Sequence, residues 1–387
     1  MQNIGQAWLV LQLTHSAFKL GMVSAVQFLP MMFLSLFAGA LADRFPKKKV
    51  LLFTQASLMV LAAILASLTF FNVVQYWHVL ILAFLLGLVN TLDMPTRQAF
   101  FIDLVGKEDL MNAIALNSTI FNLARIIGPA IAGLLIGLVG IALCFYLNAL
   151  SFIAVLIGLW LIQVPVTVSI PATKENSPNL LSTIKEGLNY IIAKPIIYLP
   201  LALMAAISIF VINLNVFVPL LAKQNLNQNA MGFGLLMTAM GIGSLSGALT
   251  IATKSKIGPK LPVILAGAFG MSLFLIVLGY MHNYILACLT LFAIGFCMIS
   301  FTTSINSILQ LNSDDGMRGR VMSLYSLVFG GMTPIGSLFA GKVIELTGVS
   351  FGLLICGLCG LASLGVIYIF YRRKLASVQT RVISHQA

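Results

Sequence analysis

Leu353 to Phe370 reads LLICGLCGLASLGVIYIF, a run of eighteen residues without a charged side chain. A helix of about 20 apolar residues crosses the ~30 Å hydrocarbon core of a bilayer. Other uncharged runs cover 64–71, 79–89 and 131–143, and 60% of all 387 residues are hydrophobic while 8% are charged. A soluble domain has about a quarter charged residues, so the sequence predicts a polytopic membrane protein. Repeated runs also exclude a single signal peptide as their explanation.

The hydrophobic runs predict twelve transmembrane spans. The predicted spans cover residues 1–14, 18–41, 50–71, 78–101, 112–138, 141–161, 196–221, 231–252, 262–281, 284–309, 320–346 and 350–371. This is an all-α integral membrane fold in which the lipid bilayer is the main solvent.

The net charge of +12 is distributed unevenly about these spans. If the connection 43–49 is cytoplasmic, 18 of the 22 Lys and Arg residues lie on that side. The opposite side has Lys19, Lys223 and Lys342, and Arg125 lies within a span. The positive-inside rule therefore predicts a multi-pass protein of the bacterial inner membrane with both termini in the cytoplasm. The same asymmetry explains the positive charge without a nucleic-acid partner.

The longest polar interruption, 163–195, contains four prolines and divides the chain into two halves. We predict an N-terminal six-helix bundle at 1–162, a cytoplasmic linker at 163–195, a C-terminal six-helix bundle at 196–372 and a cytoplasmic tail at 373–387. Within the linker, apolar residues recur at helical spacing between 180 and 192, which indicates an amphipathic helix on the membrane surface.

The two halves share short sequence matches at nearly constant separation. Residues 39–41 recur as 247–249 at an offset of 208, and residues 108–111 resemble 314–317 at an offset of 206. Each match falls at the corresponding connection, which indicates a duplicated six-helix unit. Paired repeats of this kind are a transporter architecture with the substrate path between the halves.

Several motifs resemble one protein family. Residues 39–49, GALADRFPKKK, resemble the loop between the second and third helices of the major facilitator superfamily, with Pro46 where glycine is usual. Residues 125–133, RIIGPAIAG, are similar to the Gly-Pro motif in the fifth helix of its exporters. Together with 93–100, 117–125 and 318–323, they resemble the branch that contains enterobactin exporters, or transmembrane secretion effectors, and macrolide-efflux proteins.

The resemblance implies two six-helix bundles and a function in secondary active transport. We expect export of an amphipathic small molecule, such as a siderophore or a macrolide, by alternating access in a monomer, with proton antiport as the energy source. A lysophospholipid flippase, an importer, or a membrane sensor or accessory protein that does not transport remain the alternatives. The family's first helix is a full span, whereas only residues 1–14 precede the first turn here, so we expect the true start upstream of Met1.

Six charged residues are candidates for gating and coupling. They are Asp43, Arg44, Lys47, Asp93, Arg97 and Arg320. A carboxylate at the end of the second span can accept unpaired N–H groups of a neighbouring helix start. The resemblance implies that Asp43 latches the halves near Arg320. Asp93 and Arg97, four residues apart, share a helix face and form either a rearranging charge relay or a static ion pair.

Polar residues within the spans are candidates for a substrate cavity. They are Arg125, Asn117, Asn122, Asn148, Asn213 and Gln27. An arginine at membrane depth must face protein or water, so Arg125 contacts an anionic or catechol-bearing substrate, or pairs with a carboxylate or freed carbonyls. Gly128, Pro129 and Gly133 form a bend motif or a close-packing stripe.

No enzymatic constellation is found in the sequence. A glycine-rich phosphate loop with its Lys-Ser/Thr is missing, which argues against ATP hydrolysis by this chain. The histidines are scattered near connections, at His15, His78, His282 and His385. We therefore expect a non-enzyme without cofactor or metal.

Overall fold

The computed structural model describes residues 1–42, 45–105, 109–162, 180–253 and 261–386 of the chain. The first half forms α1 (Gln2–Thr14), α2 (Ala17–Ala42), α3 (Lys47–Phe70), α4 (Tyr76–Val105), α5 (Leu110–Val139) and α6 (Ile141–Leu161). A shorter helix, α7 (Leu180–Ala193), precedes the second half. The second half forms α8 (Pro195–Phe210), α9 (Leu214–Leu220), α10 (Ala230–Thr253), α11 (Leu261–Gly279), α12 (Tyr284–Asn312), α13 (Asp315–Gly331), α14 (Thr333–Thr347) and α15 (Val349–Gln386).

Eleven segments within these ranges are long and apolar enough to cross a membrane. Because α8 and α9 together form one of them and α13 and α14 another, the predicted count of twelve is reached only by including α1. Helix α1 has 13 residues and a length of about 20 Å, which is shorter than the ~30 Å hydrocarbon core. Its side chains nevertheless pack in the core, where Val10 and Leu11 are buried.

Two predicted spans are interrupted rather than continuous. The first breaks between α8 and α9, where the side-chain amide of Asn213 donates to the carbonyl of Ile209 at 2.7 Å. That side chain replaces a backbone donor and satisfies a carbonyl freed by the break. The second breaks at Met332, two residues before Pro334, which has no N–H to donate to the preceding turn. Helix α15 also continues beyond the predicted span end at 371, to Gln386.

The helices form two bundles that meet mainly along two helix pairs, α2 with α14 and α5 with α10, with smaller contacts of α2 with α13 and of α9 with α1 and α2. Each pair crosses at glycines. A Cβ on Gly133 would lie 2.9 Å from Cα of Gly234, and a Cβ on Gly341 would lie 3.2 Å from Cα of Gly21. The missing side chains let the backbones of the two bundles approach closely, as small residues do in membrane helix packing.

The internal repeat seen in the sequence recurs in the backbone. Gly140, between α5 and α6, has φ 87°, and Gly348, between α14 and α15, has φ 80°. These positions are 208 residues apart, as are Gly133 and Gly341 at the two interface crossings. Positive φ is accessible to glycine at little cost, so each half uses the same residue type for the same tight connection.

Helix α7 packs against α13 of the second bundle. A Cβ on Gly187 would lie 3.2 Å from a side-chain methyl of Leu324. The hydroxyl of Tyr190 accepts the backbone N–H of Asp314 at 2.9 Å, just before α13 begins. The sequence pattern between 180 and 192 thus forms a helix whose contacts fix it to the end of the second bundle.

Candidate functional site

The two bundles are joined at the end where α2 begins and α14 ends. The carboxylate of Glu345 accepts the N–H groups of Ala17 at 2.7 Å and Phe18 at 3.2 Å, and the hydroxyl of Ser16 at 3.1 Å. The first N–H groups of a helix have no partner within it, and the helix dipole favours an anion there. Glu345 is therefore a charged cap that one bundle supplies to a helix of the other.

A second charged contact joins the bundles at the same end. The ammonium of Lys223 donates to the carbonyl of Leu11 at 2.8 Å, near the end of α1. A cation at a helix C-terminus complements the carbonyls that lack helical partners. Trp8 of the first bundle also stacks on Phe233 of the second, with ring centroids 5.9 Å apart. We call this end, formed by residues 8–21, 133–141, 221–234 and 341–349, the closed end.

Along α5, the packing against α10 changes toward the opposite end. Gly133, Ile126 and Thr119 lie seven residues apart and so share one face of α5. Gly133 packs on Gly234, and Ile126 lies 3.1 Å from a Cβ placed on Gly241, but Thr119 is exposed. The close contacts of α5 with α10 thus include Gly133 and Ile126, whereas Thr119, seven residues further along the same face, is exposed.

Most basic residues of the described ranges lie at the end opposite to the closed end, and we call it the basic end, formed by residues 45–49, 97–105, 180–194, 310–320 and 372–373. Its described contacts include Lys48 to the carbonyl of Ile162 at 2.6 Å, within the first bundle. Lys194 and Asp314 form an ion pair at 2.8 Å, between the α7–α8 connection and α13. These contacts stabilise each bundle by itself and do not bridge the two.

A layer of amide and hydroxyl side chains lies between the two ends. Gln6 of α1 donates to Gln27 of α2 at 3.2 Å, and Gln27 donates to Asn3 at 3.4 Å. These three residues line a small cleft together with Asn215 of α9. Gln27, one of the predicted cavity residues, thus lies where helices of both bundles meet.

Two further predicted cavity residues belong to this layer. Asn148 of α6 donates to Gln2 at 3.0 Å. Asn213 is buried, and its side-chain oxygen accepts the hydroxyl of Ser337 at 3.4 Å, which in turn lies 3.3 Å from the hydroxyl of Ser24. Asn213 therefore stabilises the helix break. Through Ser337 of α14 and Ser24 of α2, the same hydrogen-bond chain links α9 to these two helices.

Helix α5 carries the remaining predicted cavity residues. Arg125 is half-buried, and Ala132, seven residues later on the same helix face, is buried. Asn122 is half-buried and Asn117 is exposed. A Cβ on Gly128 would meet nothing within 4 Å, whereas Gly133 is in tight contact with α10, so the two glycines of the bend motif lie in different surroundings. Pro129 lies inside the helix between them.

The charged pair on α4 is part of a larger cluster. Asp93 is only 5% exposed, and its carboxylate accepts the hydroxyl of Thr54 at 2.6 Å and the amide of Gln55 at 2.7 Å. Arg97 donates to the other carboxylate oxygen at 2.9 Å and 3.2 Å. The Arg97 side chain is 46% exposed, so one partner of this ion pair is in contact with solvent or lipid head groups.

The gating candidates are only partly described. Asp43 and Arg44 lie outside the described residues, and Lys47 is half-buried at the start of α3. Arg320 of α13 lies 2.6 Å from the carboxylate of Glu186 on α7. In this conformation the start of the α13–α14 span is therefore held by the amphipathic helix.

Electrostatics reinforce the attachment of α7 and α8 to α13. The hydrogen bond from Lys194 lowers the pKa of Asp314, and the bond to Asp314, with a smaller effect of Tyr190, raises the pKa of Lys194. Both shifts favour the charged forms, so this ion pair is present at neutral pH.

Sequence reasoning did not identify the two charged caps of the closed end. Glu345 is not among the candidate residues of the sequence analysis, and Lys223 appears there only as one of the few basic residues on its side of the membrane. The sequence feature that could have identified them is their rarity, because few charged residues lie on this side of the membrane. A lone carboxylate or lysine there has to be satisfied by something specific, such as a helix terminus.

Comparisons with known proteins agree with this architecture. Residues 1–386 match the family described as transmembrane secretion effector. The Staphyloferrin A transporter of Staphylococcus aureus (strain NCTC 8325 / PS 47) is 30% identical over 96% of this chain and 92% of its own length. The multidrug efflux pump Tap of Mycolicibacterium fortuitum is 24% identical over 95% and 90%. The enterobactin exporter EntS of Escherichia coli O1:K1 / APEC is 27% identical over 89% and 83%.

Solved structures share the fold at low sequence identity. The nucleoside transporter NupG has a TM-score of 0.74 at 13% identity and covers 95% of this chain and 94% of its own. A bacterial homolog of the human lysosomal transporter Spinster, in an inward-facing and unoccupied conformation, has a TM-score of 0.70 at 14% identity over 95% and 93%. The chain belongs to the transmembrane secretion effector family of the major facilitator superfamily.

Proposed function

We propose that this protein is a secondary active exporter that moves an amphipathic small molecule across the cytoplasmic membrane by alternating access. The observation behind the proposal is the contact between α5 and α10, which is tight at Gly133 and lost at the exposed Thr119. The exposed face of α5 at Thr119 is proposed to line a cavity that opens at one end of the protein. A transporter needs a second conformation in which the other end is closed.

The basic end faces the cytoplasm in this proposal. It contains the basic loops that the positive-inside rule assigns to the cytoplasmic side. The conformation with the closed end intact is then inward-open, ready to accept cargo from the cytoplasm. This is the loading state of an exporter.

The cargo is proposed to be a siderophore or a drug-like amphipathic molecule. Relatives that match over most of the chain are named for a siderophore transporter, a siderophore exporter and a multidrug efflux pump. The polar layer at Gln6, Gln27 and Asn215 offers hydrogen bonds at membrane depth. Arg125 adds a permanent planar cation that can bind a carboxylate or a catecholate with two donors.

The two ends are proposed to close by reciprocal caps on one helix pair. Glu345 lies near the end of α14 and caps the start of α2. Asp43 directly follows α2, whose other neighbour at the basic end is α13. Asp43 would cap the start of α13 when the basic end closes, and Arg320 would then leave Glu186 and turn to Asp43.

Proton antiport is proposed as the energy source, with Asp93 as the coupling group. Of the carboxylates whose side chains are described, Asp93 alone is buried. Its carboxylate accepts hydrogen bonds from Thr54, Gln55 and Arg97, and rearrangement of Arg97 would remove the cationic partner among them. The carboxylate could then take up a proton during the conformational change.

Transport by purified protein in liposomes with an imposed pH gradient tests the proposal. Siderophores, macrolides and cationic dyes are added in turn, and substrate-driven proton movement is recorded for the wild type, for Arg125→Ala and for Arg125→Lys. Proton flux with one class of compound, lost in Arg125→Ala, is the expected result. If folded protein gives no flux with any compound, exporter function is contradicted in favour of a lipid cargo or a non-transporting role.

A further inference from the structure

A groove runs between α2 and α4 on the outside of the first bundle. Its volume is about 530 Å³, and its walls are formed by residues between 18 and 26 of α2 and between 76 and 85 of α4. The wall side chains are apolar except for Lys19 and Tyr76. Ile81 and Phe84 in the wall are exposed, so the groove opens sideways, toward the lipid that surrounds a membrane helix.

The depth of the groove corresponds to one leaflet of a bilayer. Eight residues of rise along α2 and nine along α4 give a length of about 12–14 Å. Half of a ~30 Å hydrocarbon core is about 15 Å. With the closed end at the membrane surface, a groove of this length would end close to the middle of the membrane, which is the path of a single acyl chain.

Two lysines lie at the surface end of this groove. The ammonium of Lys19 is 5.4 Å from the ring centroid of Tyr76, and the ammonium of Lys342 is 5.6 Å from that of Phe18. Both rings belong to the groove wall. Among the described residues neither lysine forms an ion pair with a carboxylate. Two of the three lysines assigned to this side of the membrane thus converge on one groove.

The position of Lys19 is fixed by the groove itself. The hydroxyl of Tyr76 donates to the backbone carbonyl of Lys19 at 3.0 Å, which ties the start of α2 to the start of α4. Lys342 comes from α14, in the other bundle. A group that binds both ammonium ions would therefore contact both bundles at once.

We propose that the groove binds one anionic phospholipid of the leaflet at the closed end, with an acyl chain between α2 and α4 and the phosphate between Lys19 and Lys342. A zwitterionic lipid offers the same chain, but its own cation opposes the two lysines. Preference for a negatively charged head group therefore distinguishes this groove from other surfaces that lipid covers.

The bound lipid would act on the closed end. Phe18 is the common residue, because its ring lies in the groove wall while its backbone N–H donates to Glu345 at 3.2 Å. A phosphate that draws Lys19 and Lys342 together would hold α2 against α14. Anionic lipid would thus favour the conformation in which this end is closed.

Native mass spectrometry of the delipidated full chain tests the proposal. The protein is titrated with phosphatidylglycerol or phosphatidylcholine of identical acyl chains, and the single-lipid adduct is quantified. Each lysine near a lipid surface contributes about 1 kcal/mol, so two give a preference on the order of 30-fold for phosphatidylglycerol. K19Q/K342Q is expected to lose that preference, and R372Q/R373Q, with the same charge removed at the basic end, is expected to keep it.

A groove-filling pair of variants tests the acyl-chain site. Ile81→Trp places an indole in the groove and is expected to remove the adduct of either lipid, whereas Ile157→Trp, at an equally exposed position of α6, is expected to leave it. Equal binding of both lipids by the wild type would overturn the proposal. So would a preference that survives in K19Q/K342Q, or an adduct that survives in Ile81→Trp.

Discussion

The carboxylate of Glu345, near the end of α14, accepts the backbone N–H of Ala17, the first residue of α2, at 2.7 Å. This bond crosses between the two bundles, and it is charge-assisted on one side and supported by a helix dipole on the other. Its energy depends on the separation of two helix ends. It is therefore a contact that opening of the closed end has to break.

Substitution of Glu345 by glutamine is expected to favour opening of that end. The amide keeps an acceptor but loses the charge, and at this exposed position the loss is about 1 kcal/mol, or roughly fivefold in population. The measurement is the rate at which a membrane-impermeant maleimide labels a cysteine introduced at Asn215, in a chain without its natural cysteines. Thr347→Ala at the same end is the control, because the Thr347 hydroxyl bonds only the carbonyls of Val343 and the adjacent Gly348 and does not bridge the bundles. Unchanged labelling in Glu345→Gln would contradict the role of the cap.

Substitution of Gly133 by alanine is expected to destabilise the closed end. Its Cβ would lie 2.8 Å from the carbonyl oxygen of Ala230, so the backbones of α5 and α10 must move apart. Overpacking of this kind costs about 1–3 kcal/mol. Thermal unfolding of the purified protein measures it. Gly158→Ala on α6, where a Cβ meets nothing within 4 Å, is the matched control and is expected to be neutral or slightly stabilising.

Replacement of Asp93 by asparagine distinguishes a coupling role from a static ion pair. The side-chain oxygen of the new amide can still accept from Thr54 and Gln55, so folding is expected to be retained, but substrate movement should no longer respond to a pH gradient. The double variant D93N/R97Q removes both charges and the unpaired cation. If Asp93 only neutralises Arg97, the double variant regains gradient-driven transport. That result would contradict a role of Asp93 in proton coupling.

The attachment of α7 to α13 is expected to be insensitive to pH in the physiological range. The pKa of Asp314 lies below its ordinary value of 3.8, so its contribution is present above that value and is lost as pH falls through the lowered pKa. The pKa of Lys194 lies above its ordinary value of 10.5, so its contribution is present below that value and is lost as pH rises through the raised pKa.

A spin-label distance between Leu188 of α7 and Ser323 of α13 is the measurement for this attachment. It should be constant from about pH 5 to about pH 9, because neither partner titrates in that window. Asp314→Asn is expected to broaden the distance distribution at every pH. A distance that changes between those pH values in the wild type would show that another group controls the attachment.

The sequence was sufficient to predict the helices and their pairing into two halves. Hydrophobic runs such as 353–370 have one outcome in lipid, where every backbone group must be bonded internally. The matches at offsets of 208 and 206 indicated an internal repeat, and Gly140 and Gly348, which are also 208 residues apart, both have positive φ. These features depend on local composition or on self-similarity, both of which one chain reveals.

Contacts between the bundles could not be predicted in the same way. At the break after Phe210, the side chain of Asn213 bonds the carbonyl of Ile209. An amide within a span can either bond the backbone in this way or face a cavity, and the sequence does not distinguish the two. Arg320 was expected near Asp43, but in this conformation it lies beside Glu186. A gate residue has a different partner in each conformation, and sequence does not specify which conformation is present.

Distances across both ends of one molecule test alternating access most directly. One spin-label pair joins Val73 and Ile285 at the closed end, and the other joins Leu116 and Ser323 toward the basic end; both are measured in liposomes before and after transported compound and a pH gradient are applied. Alternating access predicts that the first distance increases while the second decreases, with the two changes occurring in the same fraction of molecules. Distances that stay fixed during demonstrated transport, or that increase together, would contradict it.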